Sequence, residues 1–133
     1  MFVAALAAAC GNGAPSPESV VRAWSQELNS GDNERAADLF APGATVIQGS
    51  TVRILRTHAD AVAWNASLPC SGQILAIRTR GDTARATFLL GHRRESKCDG
   101  PGSKATALFR VHEGKIVLWH QTGSSPPADG GPI

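Results

Sequence analysis

The sequence predicts an α+β domain in which a curved antiparallel sheet wraps around N-terminal helices. Three observations carry that expectation. Apolar residues recur at helical spacing over the first half of the chain, as in Val20, Val21, Trp24 and Leu28. The second half alternates with a period of two and is broken by Gly81-Asp82 and Glu113-Gly114, both two-residue hairpin signals. The order is helix, helix, strand, helix, then four long strands, which places a sheet against the helices and leaves an opening between them.

The chain has 133 residues, with 42% apolar and 18% charged, the balance of a globular protein rather than a disordered one. Without a targeting stretch and a tail, roughly 110 residues remain, enough for one core. Thirteen Lys and Arg against eleven Asp and Glu leave a net charge of +2, which gives no electrostatic reason to bind nucleic acid. No stretch reaches the ~20 apolar residues of a membrane-crossing helix. The expected boundaries are residues 1–16 as a signal remnant and tether, 17–122 as the domain, and 123–133 as a disordered Pro/Gly/Ser tail.

Met1 to Ala9 reads MFVAALAAA and precedes Cys10, similar to the end of a bacterial lipoprotein signal peptide with Cys10 as the lipidated residue. Leu6 stands four residues before Cys10, and no charged n-region precedes it, as a truncated signal would read. Ala7-Ala8-Ala9 equally fits an ordinary small-x-small cleavage site. The alternative is a buried Ala-rich helix start; under either export reading the expected location is the bacterial cell envelope, secreted or held to the membrane only by a lipid at Cys10. In that oxidising compartment Cys70 and Cys98 are expected to pair; the alternative is two buried free thiols. No CxxC spacing exists, so no metal site is expected, and no cofactor is indicated.

Each element has local signals. Ser16 caps a first helix from Pro17 to Ser30, with Pro17 at its first position and Gly31 ending it. Asp32 or Asn33 caps a short helix from Glu34 to Phe40, stopped by Pro42-Gly43. Thr45 to Ile54 is strand-like with a bend or turn at Gly49-Ser50. Thr57 caps a third helix, His58 to Leu68, with Ala61, Val62, Trp64 and Leu68 facing inward. Strands follow over Gln73–Arg80, Thr83–Leu90, Lys104–His112 and Lys115–Gln121, with a polar loop from Gly91 to Gly102.

The run SPESVVRAWSQELNSGDNERAADLFAPGATVIQG and the closing ALFRVHEGKIVLWHQ resemble the nuclear transport factor 2-like superfamily. That superfamily includes ketosteroid isomerases, SnoaL-like polyketide cyclases, limonene epoxide hydrolases and binding modules. The resemblance implies a cystatin-like α+β cone with a pocket between sheet and helices. It is nearly silent on chemistry, because the fold hosts many activities. The isomerase positions for the first-helix tyrosine, the base and the late acid fall on Trp24, Gln48 and Ala107. None of these repeats the isomerase chemistry: glutamine accepts no proton at neutral pH, and alanine donates none. With no tyrosine in the chain, the epoxide hydrolase arrangement lacks a part. A cyclase needs a base, for which His120, Asp60 and His58 are the candidates.

Strand alternation then puts Val46, Gln48, Ala107, Phe109, Val117, Trp119 and Gln121 on one face, the concave one if Gln48 and Ala107 take the family's pocket positions. Trp24 and Trp64 approach it from the helices. This is an aromatic box with two amides, suited to a small apolar ligand oriented by one or two hydrogen bonds. The alternative is plain core packing. His112 and His120 fall on the opposite face. Sheets of this fold often self-associate, so a homodimer through the sheet is a further expectation. In the GHRRESK loop, His92, Arg93, Arg94 and Lys97 lie near Arg78, Arg80 and Arg85, a solvated face offset by Glu95, Asp82 and Asp99. The alternative is a basic patch for anionic headgroups or an acidic partner. The expected function is ligand binding or an accessory envelope role without catalysis; the competing one is a SnoaL-like isomerase or cyclase with an unrecognised base.

Overall fold

The structure is a computed structural model and describes residues 13–126. The expected signal segment with Cys10 and the end of the tail lie outside the described residues. The helices are α1 (Pro17–Asn29), α2 (Asn33–Ala37) and α3 (His58–Ser67). The strands are β1 (Phe40–Gln48), β2 (Thr51–Leu55), β3 (Cys70–Arg80), β4 (Thr83–His92), β5 (Lys104–His112) and β6 (Lys115–Ser125).

Local chemistry explains the helix starts. Ser16 Oγ accepts from the Ser19 amide at 3.1 Å, and Asp32 Oδ1 accepts from the Arg35 amide at 3.0 Å. Thr57 and Asp60 form a reciprocal capping box at α3. Asp60 is therefore a cap, and His58 contacts Glu34 and Asp38 on the surface.

The six strands form one sheet in the order β2-β1-β6-β5-β4-β3. It is mixed rather than wholly antiparallel, because β6 returns to lie parallel to β1 while all other pairs are antiparallel. The cause is topological. The β1–β2 hairpin leads through α3 to β3 at the far edge, and the β3–β6 meander walks back to β1. Both expected hairpins form, with Glu113 (φ 51°) and Gly114 (φ 79°) in the left-handed conformation at the β5–β6 turn.

Several boundaries differ from expectation, among them the start of β3 at Cys70 rather than Gln73. The second helix stops at Ala37 and the chain enters the sheet at Phe40, because Pro42-Gly43 lies in a bulge of β1 instead of ending a helix. The polar loop begins later, since β4 runs to His92. The last strand runs past the boundary expected at Thr122 and ends at Ser125, where Lys104 pairs with it.

The core is aromatic and continuous. Trp24 packs on Phe109 at 5.4 Å between ring centroids, Trp64 on Trp119 at 4.9 Å, and Phe40 on Trp64 at 5.6 Å. Burying each such ring contributes about 1.5–3 kcal/mol by area alone. Val20, Val21 and Leu28 of α1 and Val46, Leu55 and Ile116 of the sheet complete the cluster.

Candidate functional site

A cavity of about 460 Å3 opens between α1 and the sheet. Its buried floor is Trp24, Leu28, Phe88, Ala107 and Trp119. Its mouth carries polar groups from Gln48, Gln121, Ser103, Thr106, Ser124 and Asp99. An apolar floor with a few polar groups at the rim matches the usual form of small-molecule sites, which span about 300–1,000 Å3.

Five of the seven residues expected at the ligand line this space: Trp24, Gln48, Ala107, Trp119 and Gln121. Trp64 and Phe109 do not. Phe109 has no exposed surface and sits behind Trp24 and Trp119, while Trp64 is wedged between Phe40 and Trp119. Strand parity alone cannot separate a wall residue from the layer behind it. Val117 also departs from expectation. A bulge against Arg110 and Val111 leaves it unpaired, and Ile116 takes the buried position instead.

The two amides do converge. Gln48 Nε2 donates to Gln121 Oε1 at 3.4 Å across the parallel β1–β6 pair. The indole donors divide into one used and one free. Trp24 Nε1 donates to Asn65 Oδ1 at 2.8 Å inside the core, so it offers nothing to a ligand. Asn65 in turn donates through Nδ2 to the Ala61 carbonyl at 2.8 Å. Trp119 Nε1 is buried and has no partner among the described residues.

One wall depends on α1 holding β3. Asn29 pairs with both backbone groups of Gly72: its Oδ1 accepts from the amide at 3.0 Å, and its Nδ2 donates to the carbonyl at 2.9 Å. A side chain there would crowd the ring, since a Cβ would lie 3.0 Å from Phe88 Cβ and Cδ1 and Phe88 would have to shift by a few tenths of an ångström.

The adjoining wall is the segment after β4, tied by a disulfide to the start of β3. Cys70 and Cys98 are bonded, with an S–S distance of 1.99 Å. Asp99 follows directly, with Oδ1 3.6 Å from Cys70 Sγ, a sulfur with no proton to give. Cys70, Cys98 and Asp99 are the only metal-type grouping among the described residues, and the disulfide consumes both sulfurs.

Arg93 corrects the expected basic face. Its side chain is 2% exposed and does not belong to a solvated patch. Nη1 donates to the carbonyls of Asn65 (2.7 Å) and Leu68 (2.8 Å), and Nη2 donates to Asn33 Oδ1 (2.6 Å). Burial lowers the pKa of this guanidinium, and Glu95 opposes that shift.

Two residues that shape the site escaped the sequence reading. Asn65 extends the inward face of α3 one step beyond Ala61 and Trp64, a spacing that was visible. By sequence Asp99 belongs to the polar loop, and its place beside the bonded Cys98 ties it to the cavity mouth. Of the base candidates, His58, Asp60 and His120 do not line the cavity.

No family model matches the sequence, and no curated protein matches it. Solved structures do. The chain is similar to an NTF2-like protein of unknown function from Cytophaga hutchinsonii, with a TM-score of 0.66 and 12% identity over 80% of this chain and 88% of that one. A hypothetical protein with a ketosteroid isomerase-like fold from Catenulispora acidiphila, solved with trimethylamine, gives 0.65 and 19% over 89% and 100%. A protein assigned as a polyketide cyclase from Sinorhizobium meliloti gives 0.63 and 16% over 78% and 94%. The chain therefore has the nuclear transport factor 2-like fold, an open α+β cone of the cystatin-like kind.

Proposed function

We propose that the chain is an exported or lipid-anchored domain that binds a small, largely apolar molecule in the cavity, without catalysing a reaction. The observation that carries this reading is the cavity itself: an aromatic floor, two amides at the mouth, and no ionisable side chain on the floor. The trimethylamine in the Catenulispora protein supports small-molecule binding as one use of this fold. A disulfide between Cys70 and Cys98 is compatible with export to the bacterial envelope. A homodimer through the sheet and a membrane link by lipid at Cys10 belong to the same proposal, as does an accessory role beside envelope partners.

The test is intrinsic fluorescence, since Trp24 and Trp119 both line the cavity. A panel of neutral aromatic and alicyclic compounds is titrated into the purified chain. Saturable shifts that vanish in Ala107→Leu, which fills the floor, support the reading. A panel without any saturable shift ends it.

One observation favours a second reading. Asp99 is the single ionisable side chain lining the cavity among the described residues, and it would serve as the base of a SnoaL-like isomerase or cyclase. Turnover of a polyketide-type substrate that disappears in Asp99→Asn would establish that reading over simple binding.

A further inference from the structure

Among the described residues the cavity carries one formal charge, and it is unpaired. Asp99 forms no ion pair with any Lys, Arg or His among the described residues. Its near neighbour, the Cys70 sulfur, cannot donate to it. The lining behind it presents the rings of Trp24, Phe88 and Trp119. An aromatic face carries negative electrostatic potential, so rings and carboxylate favour the same sign of guest.

We propose that the cavity selects an organic amine. The ammonium group rests at the mouth against the Asp99 carboxylate, and the apolar body lies against Trp24, Phe88 and Trp119. This rests on the ligand-binding reading and adds the ligand's charge to it. The disulfide has a role here, because it holds Asp99 at the rim through its neighbour Cys98, which is only 5% exposed. A carboxylate ligand of the same size meets repulsion at the mouth and no cation along the lining among the described residues. A neutral ligand gains the floor but not the mouth.

Three probes share one body and differ in charge: phenethylamine, phenethyl alcohol and phenylacetate. Each is titrated into the oxidised full chain at neutral pH and low salt, read by tryptophan fluorescence. The amine is expected to bind about fivefold more tightly than the alcohol, the scale of one partly exposed charge contact with an aromatic wall behind it. The carboxylate is expected to bind weakest. Asp99→Asn should erase the amine's advantage, and Glu95→Gln, which removes a charge from the same loop outside the cavity lining, should keep it. Equal binding of all three probes overturns the charge selection and leaves the ligand-binding reading standing. An amine preference that survives Asp99→Asn overturns the assignment to Asp99. Binding of neutral panel compounds with no response to the amine also overturns it. No binding by the probes or by the neutral panel removes both readings together.

Discussion

Trp24 Nε1 and Asn65 Oδ1 lie 2.8 Å apart in the core, joining α1 to α3 by a hydrogen bond closed to water. The bond satisfies the Trp24 donor, whereas Trp119 Nε1 stays buried without a partner among the described residues. Asn65→Ala removes the acceptor, orphans the Trp24 N–H and opens a small void. The expected cost is about 2–3 kcal/mol in urea unfolding. Trp24→Phe combined with Asn65→Leu removes both polar partners together. The pair should therefore cost less than the sum of its single changes by about 1 kcal/mol. Strict additivity would mean that the bond contributes nothing specific.

Arg93 is the second cross-link, and its three strong contacts come from α2 and the end of α3. Helix carbonyls at a C-terminus lack intrahelical donors, and a cation there also suits the helix dipole. Arg93→Ala strips the guanidinium donor from both carbonyls, leaving that of Asn65 with only the Leu68 amide at 3.3 Å. We expect a loss of about 2–4 kcal/mol. Arg93→Lys should recover only part of it, because one ammonium cannot reproduce the planar fork. A change below the precision of denaturant unfolding would show that water replaces these contacts freely.

Reduction of Cys70–Cys98 should destabilise the fold and alter the cavity separately. The bridge closes a loop with a sequence separation of 28, which corresponds to about 3–4 kcal/mol in the chain-entropy model. Cys70→Ser with Cys98→Ser should lower the midpoint of thermal unfolding by that scale. Below the midpoint, the same variant should bind cavity ligands more weakly, because Asp99, Gly100 and Ser103 all belong to the wall that the bridge restrains. Unaltered affinity in a folded double mutant would show that the wall keeps its shape without the bond.

Much of this fold was legible because its signals are local. Ser16, Asp32 and Thr57 act as caps through bonds to residues three positions ahead. Gly81-Asp82 and Glu113-Gly114 turn the chain where a two-residue hairpin must. What escaped depends on distant partners. Pro42-Gly43 reads as a helix stop until β6 is known to pair on both sides of it, at Phe40 and Thr45. Val117 and Ile116 exchange faces because of a bulge that no period-two pattern anticipates. Arg93 resembles every other surface arginine until acceptors from two helices surround it. Of the expected site, Trp24, Gln48, Ala107, Trp119 and Gln121 gather at one cavity because inner-face parity holds across β1, β5 and β6 there. Trp64 and Phe109 share their apolar character but belong one layer deeper.

The outer side of the sheet supplies the last test. Val52 and Ile54 of the edge strand β2 are 60% and 47% exposed. Pairing register places them on the same side as Ile47 of β1, Leu118 of β6 and Leu108 of β5, all partly covered. This is the side away from the cavity, so association through it leaves the ligand mouth open. Neighbouring apolar side chains on one sheet face suit burial against a second copy, and charged residues at an edge are the usual defence against it. Under the homodimer proposal, sedimentation velocity gives a dimer for the wild-type chain at micromolar concentration. Val52→Lys with Ile54→Lys gives a monomer of unchanged fold, because neither side chain is buried in the single subunit. A wild-type chain that stays monomeric across that range rules out the sheet as its interface. A dimer that survives both lysines places the contact on another surface.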